Sequence, residues 1–292
     1  MARDMTGRVL VVSGASSGIG AATARCAANA GMDVVLNARR EDRLEQVAND
    51  VRTLGRRVEI VCGDVTDPGI NAAMLEAARS RLGRLDAVFA NAGYGLEGAT
   101  DTLPADDLRG IFEVNFFAAL DLIQQAAAIM KTQRSGHLIM CSSCVAKFAI
   151  PYYGVYSATK AAQNHVARSL RLELEPEGIF VSSVLPITTT TEFFEVAERL
   201  SSQPASSDVT PDHAPEMFVQ SPDRVARAIV KCMQRKHPQP EVWTSHIVRI
   251  ASGLFTVFPR LQDFAMRKEA RKRRARLASS PAPPLILSEP KH

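Results

Sequence analysis

Hydrophobic residues in this chain fall into two kinds of run. Short apolar stretches on consecutive positions have the length of strands: "RVLVVSG" from 8, "DVVLNA" from 33, "RVEIVCG" from 57, "DAVFANAG" from 86, "GHLIMCSS" from 136, "IFVSSVLP" from 179 and "EVWT" from 241. Apolarity on successive positions, rather than on every second one, is what a strand covered on both faces requires. Between these runs lie longer stretches of helical period, about 19–30, 41–54, 68–82, 104–132, 153–176 and 222–236. The last has clear entry chemistry, with Ser221 able to cap, Pro222 suited to the first turn and Asp223 to the helix dipole. Strand and helix in regular alternation predict repeated βαβ units. The expected fold class is therefore α/β: a doubly wound, Rossmann-like parallel sheet of about seven strands with helices on both faces.

A catalytic domain is expected over 1–246. The composition shifts to Ser, Pro, Asp and Thr over 201–221, and a mobile substrate loop is expected over about 191–221. From 247 to 277 an apolar segment, broken at Pro259, runs into a basic one, an amphipathic helical extension. Its apolar run is too short to span a bilayer. It suits either an anionic membrane surface or a helix covering the pocket or a partner subunit. The proline-rich stretch 278–292 is expected to be a disordered tail.

Composition narrows the classes. A chain of 292 residues, 46% hydrophobic and 23% charged, can bury a full core. The net charge of +4 is local, because "RKEARKRRAR" at 267–276 contributes +6 and the remainder sums to −2. The body therefore has no electrostatic footprint for nucleic acid. No signal peptide or membrane span is read, and five scattered cysteines do not form a secreted disulfide framework, so a cytoplasmic location is expected.

The first strand ends in "SGASSGIGAAT", where Gly14, Gly18 and Gly20 lead into an alanine-rich helix. Glycines permit a tight turn and close backbone approach, and a pyrophosphate sits well on the positive end of a helix. A dinucleotide site is expected. The second strand ends in Ala38, Arg39 and Arg40 where an acidic residue would favour the unphosphorylated cofactor. NADP(H) is therefore preferred; NAD(H) stays open because Glu41 or Asp42 is in reach of a ribose. After the third strand, Asp64 is placed either to accept from an adenine amino group or to cap the next helix.

"IMCSSCVAKFAIPYYGVYSATKAA", 139–162, superposes two chemistries. Tyr156 and Lys160 are spaced i, i+4 at a helix start, and an ammonium beside a phenol favours phenolate, bringing its pKa toward the range useful for proton transfer. Cys141 and Cys144 form a Cys-x-x-Cys pair. No second pair completes a metal site, and the pair lies at the end of a fifth strand rather than at a redox helix start. No metal is expected.

"SGASSGIG", "ANAG", "VNFFA" and Ser143…Tyr156-x-x-x-Lys160, in this order and spacing, resemble the short-chain dehydrogenase/reductase family, firmly over about 7–195 and weakly to about 245. Ser143 lies thirteen residues before Tyr156, as in that family, and Ser142 fourteen. The resemblance implies Tyr156 as general acid or base, Ser143 as hydrogen-bond partner of the substrate oxygen, Lys160 on the nicotinamide ribose and Asn115 holding a water that links the lysine to solvent. It also implies cofactor contacts at Gly14, Ser16, Ser17, Gly18, Ile19, Gly20, Arg39, Arg40, Asp64, Val65, Asn91, Gly93, Tyr156, Lys160, Pro186 and Thr191. Ile187 stands where the family has glycine, and a branched side chain there either crowds the nicotinamide or shifts the backbone, two outcomes the sequence leaves open.

By family position the pocket takes in Tyr94, Leu96, Phe148, Ile150, Tyr152, Tyr153, Phe193 and Phe194, with Lys147 its one charge. That set implies a small lipophilic carbonyl or alcohol substrate. The sequence thus reads as an NADP(H)-dependent oxidoreductase, a homodimer or homotetramer, with peripheral membrane contact through 247–276 as an open partner. Two rivals are a catalytically silent NADP-binding redox sensor and a membrane-docked scaffold acting through the basic tail.

Overall fold

A computed structural model describes residues 2–189 and 219–279, with side chains to 275. Seven strands form one parallel sheet in the order β3-β2-β1-β4-β5-β6-β7. They are β1 (Val9–Ser13), β2 (Asp33–Ala38), β3 (Val58–Cys62), β4 (Ala87–Ala90), β5 (Gly136–Cys141), β6 (Ile179–Leu185) and β7 (Glu241–Trp243). Strand order reverses between β1 and β4, which places a crevice at their carboxyl ends.

Successive β1 residues face opposite layers. Leu10 and Val12 pack with α1 (Gly18–Asn29), α2 (Glu41–Thr53) and α7 (Pro222–Met233). Val9 and Val11 pack with α3 (Ile70–Glu76), α5 (Ala119–Gln133) and α6 (Gly154–Leu174). Both faces are covered, which is why β1 and β2 are apolar on consecutive central positions and buried along their whole length, with Ser13, Asp33 and Asn37 the buried polar residues at or near their ends. β3, at the edge, is half-exposed.

Two helices deviate from the expected continuous period. α3 begins only at Ile70, after Gly69 in a left-handed conformation, and widens into a π turn at Ala77–Arg81. The stretch expected as one helix over 104–132 is α4 (Ala105–Phe112), a π turn at Glu113–Ala118 and α5. A π turn inserts residues without altering the apolar stripe enough to be read from a pattern.

The extension forms two helices, α8 (His246–Val257) and α9 (Pro259–Ser279), separated where Pro259 starts the second. The helix continues to Ser279, past the expected start of the tail at 278. Ser245 caps α8 by accepting from the Val248 amide, and Ser221 caps α7 as expected.

One buried group sets an acid limit on stability. His137 in β5 is 2% exposed, with Nε2 2.9 Å from Ser182 Oγ. Burial, with Arg3 and Arg171 nearby, lowers its pKa to about 3. The unfolded chain takes up this proton near pH 6.5 and the folded chain does not, so stability falls as pH drops from about 6.5 toward 3, by up to about 1.4 kcal/mol per unit. Denaturant titrations at pH 7 and pH 5 should show this slope in the wild type and a shallower one in His137→Leu.

Candidate active site

The glycine turn is held by contacts that admit no side chain. Gly14 has φ +67°, and a Cβ there would lie 2.9 Å from Ala92 Cα; one on Gly20 would lie 2.2 Å from the Gly14 carbonyl oxygen. Asn91 locks the turn to the end of β4, its Nδ2 donating to the carbonyls of Ser13 and Gly14, both at 3.1 Å. Ser17 caps α1 without using its side chain, so the first helix amides at Gly18, Ile19 and Gly20 lack intrahelical acceptors. That is the donor set a pyrophosphate needs. The Arg40 guanidinium donates to Ser16 Oγ at 3.2 Å and Ser17 Oγ at 3.0 Å.

Arg39 is 70% exposed and lies 3.5 Å from Asp64 Oδ2. Asp64 Oδ1 accepts from the Thr66 amide and hydroxyl, so this carboxylate closes its own turn and does not cap the next helix, which starts at Ile70 after Gly69. Val65 is half-buried beside it. These residues gather at the carboxyl ends of β1, β2 and β3, and their donor chemistry fits a nicotinamide dinucleotide.

On the other side of the crevice, Ser142 and Ser143 diverge. Ser142 Oγ donates to the Lys160 carbonyl at 2.7 Å, a strut between β5 and α6. Ser143, 9% exposed, hydrogen-bonds Tyr156. The Tyr156 phenol is pushed far above its ordinary value by burial, against the pull of Ser143. It is a neutral donor at neutral pH. The Lys160 ammonium, 3% exposed, sits 5.8 Å from the Tyr156 ring centroid; burial lowers its pKa and Cys141 acts in the opposite sense.

The π turn at 113–118 brings Asn115 into this cluster. Its Oδ1 accepts from the Tyr94 amide and its Nδ2 donates to the Tyr94 carbonyl, each at 2.9 Å. A Cβ at Gly93 would strike Asn115 Oδ1 at 2.8 Å. A side chain also bridges the lysine and the Asn115 backbone. Fully buried Gln163 donates from Nε2 to the Asn115 carbonyl at 2.5 Å and accepts from Lys160 Nζ at 3.1 Å. Lys160 also donates to the Cys141 carbonyl at 2.8 Å.

The pocket side is apolar. Ile187, 7% exposed, clusters with Cys144, Val145 and Val248 of α8, and with half-buried Phe148, Ile150, Trp243 and Tyr156. Its backbone is not left-handed, so glycine is not required there. Tyr94, Leu96, Leu103, Ile111 and Val155 form a second apolar group on Tyr156. Lys147 is 2.6 Å from Glu241, so its charge is neutralised rather than presented to a substrate. Pro186 accepts from the Cys144 amide at 2.9 Å. Thr191, Phe193 and Phe194, with most of the expected substrate loop, lie outside the described residues.

Burial raises both thiols of the Cys-x-x-Cys pair, Cys144 to about 11, so both stay protonated and unreactive at neutral pH. Among the described residues no cluster of His, Cys, Asp or Glu could hold a metal.

Two residues that the sequence did not single out complete the wall. Arg273 of α9 lies 2.6 Å from Glu97, at 14% and 15% side-chain exposure, and its guanidinium carbon is 4.8 Å from the Tyr153 ring centroid. The Tyr153 hydroxyl donates to Glu97 at 3.0 Å, and its ring meets Tyr156 edge-on at 6.4 Å. Phe148 meets Phe255 of α8 at 5.8 Å. Tyr152, next to this clamp, is left-handed at φ +67°, an uncommon conformation for a bulky residue. Gln163 had a signal, a polar residue three after Lys160 on the same helix face. Glu97 and Arg273, 176 residues apart, had none.

Comparison with known proteins agrees with this geometry. A family model described as short chain dehydrogenase matches residues 8–200. An uncharacterized oxidoreductase of Listeria innocua is 30% identical over 236 residues, covering 80% of this chain and 92% of that one. Among solved structures, L-sorbose reductase from Gluconobacter frateurii complexed with NADPH and L-sorbose is 28% identical, with a TM-score of 0.72 over 82% of this chain and 95% of that one. A short chain dehydrogenase/reductase from Burkholderia phymatum in complex with NAD, 24% identical, superposes with a TM-score of 0.76 over 89% and 96%.

Proposed function

This chain belongs to the short-chain dehydrogenase/reductase family, and is thus an NAD(P)-dependent oxidoreductase acting on alcohol or carbonyl groups; from that premise we propose that it is an NADPH-dependent reductase of hydrophobic ketones and aldehydes. The observation carrying the proposal is the convergence of Ser143 and Lys160 on a protonated Tyr156 set in apolar walls. Gly14, Ser16, Ser17 and Gly18–Gly20 would hold the pyrophosphate, Arg39 the 2′-phosphate, and Lys160 the nicotinamide ribose. The cofactor, when bound, supplies the hydride.

Within the chain, Ser143 orients the substrate oxygen and Tyr156 hands it a proton. The Lys160 ammonium, 5.8 Å from the Tyr156 ring centroid, would favour the phenolate as it forms, and Gln163 and the Cys141 carbonyl hold the ammonium in place. Tyr94, Phe148, Ile187 and Tyr153 exclude water and select apolar substrates. Ile187 reads here as a pocket wall shared with α8 instead of an obstruction to the cofactor. The sensor reading has no supporting observation, since Asn115, Ser143, Tyr156 and Lys160 are all assembled.

The enzyme acts, on this reading, as a homodimer or homotetramer, for which exposed Phe117 and Leu172 offer apolar surface. All five cysteines are free, which suits the reducing cytoplasm. The test is a fluorescence titration with NADPH and NADH, followed by a panel of hydrophobic carbonyls. NADPH should bind more tightly, and Arg39→Glu should weaken it relative to NADH by roughly 10- to 100-fold, the worth of one charge-assisted hydrogen bond. Tighter binding of NADH by the wild type overturns the cofactor assignment.

A further inference from the structure

The two C-terminal helices have unlike faces. Val248, Ala251, Ser252 and Phe255 of α8, and Gln262, Met266, Glu269 and Arg273 of α9, turn inward at helical spacing. Thr256 and Gln262 bond the carbonyls of Lys147 and Ala149 in the loop beside the site. The outer face begins apolar. Ile250, Leu254 and Val257 on α8, and Phe258, Leu261 and Phe264 across the break, are all between 45% and 75% exposed. On α9 the same face then continues as Lys268, Arg271 and Lys272, all exposed. An apolar stripe this long, left in water, marks an interaction surface.

Charge identifies the occupant. Residues 246–276 hold nine Lys/Arg against Asp263 and Glu269, a net of +7, and Glu269 is spent on Arg273 at 2.6 Å on the inner face. A second copy of the chain laid on this stripe would meet Lys268, Arg271 and Lys272 with no acidic row to receive them. We propose that the outer face of α8 and α9 docks on an anionic lipid surface. The apolar stripe enters the boundary between headgroups and acyl chains, and the basic turns lie among the anionic headgroups. Docking sets the inner face, which carries the Arg273 clamp on Tyr153, directly behind the membrane surface. A substrate dissolved in the lipid then has a short path to the pocket. The proposal concerns where the enzyme sits and stands independently of which carbonyl it reduces.

The experiment is co-sedimentation of the full chain with vesicles of phosphatidylcholine alone and of phosphatidylcholine carrying about 30% phosphatidylserine, at low and high salt. Partition into the anionic vesicles, falling as salt rises, is expected. Each basic side chain near such a surface is worth about fivefold, so Lys268→Glu/Arg271→Glu should lower partition by on the order of 25-fold or more. Leu261→Ser/Phe264→Ser should abolish it, and both variants should still turn over a water-soluble carbonyl as the wild type does, showing that they are folded. Absence of partition, or equal partition into neutral and anionic vesicles, overturns the proposal. So does a wild-type assembly, seen by sedimentation velocity, that falls apart in Leu261→Ser/Phe264→Ser, since a second copy would then own the face.

Discussion

Replacing Tyr156 by Phe lowers kcat by about 10²- to 10⁴-fold, the usual worth of a positioned acid, and leaves the dissociation constant for NADPH within about threefold. The substitution removes one oxygen. The ring keeps its contacts with Ile187, Tyr153 and Leu96, because those are made by the hydrophobic groups on either side of it. Ser143→Ala should share the loss in part, since it removes the hydrogen bond that opposes burial at the phenol. Stopped-flow reduction of a hydrophobic ketone, with NADPH binding followed separately, distinguishes chemistry from binding. Reduction by Tyr156→Phe at the wild-type rate excludes the phenol as proton donor, and the mechanism with it.

The second large effect is expected at Arg273. Arg273→Leu takes a cation from two carboxylates and from the Tyr153 ring, with Glu97 held almost out of solvent. Breaking one partner of a buried ion pair costs about 3–5 kcal/mol, more than the docking of a single peripheral helix withstands. α9 should then detach and unwind, so that its basic stretch, already exposed as a helix, becomes cleavable by trypsin. KM for a bulky substrate should rise while kcat changes little, because Tyr153 loses its hold on the pocket and Tyr156 keeps Ser143 and Lys160. The double variant Arg273→Leu/Glu97→Leu should recover much of the protection, since it removes the stranded carboxylate too. Additive effects of the two single changes would mean that the pair is not coupled.

The parts of this fold that were readable in the sequence are those that depend on neighbours along the chain. Consecutive apolar positions marked β1 and β2 because both faces of a central parallel strand are covered, and "SGASSGIG" marked the turn because only glycine fits beneath Ala92 and against the Gly14 carbonyl. Spacing also separated Ser143 from Ser142, and the structure gives the two hydroxyls different partners. What escaped depends on distance or on small changes of pitch. The π turn that carries Asn115 leaves the helical period nearly intact. The Arg273–Glu97 contact is made only after the whole sheet has folded. The fate of Lys147 depended on Glu241 in the last strand. Ile187 could be seen as a departure, but its neighbour Val248 belongs to a helix beyond the family pattern, so its packing could not be read from that pattern.

The Gln163 bridge changes what kind of object lies beneath the lysine. A water bound between an ammonium and a carbonyl is a conductor: it can accept a proton on one side and release one on the other. A carboxamide is an insulator, because its nitrogen neither gains nor gives a proton near neutral pH and its oxygen only accepts a hydrogen bond. With Nε2 on the Asn115 carbonyl and Oε1 on Lys160, the bridge is a spacer that positions the ammonium and relays no proton of its own. The position of the ammonium is therefore fixed by covalently anchored neighbours, which keep their places however the solvent around the site is arranged.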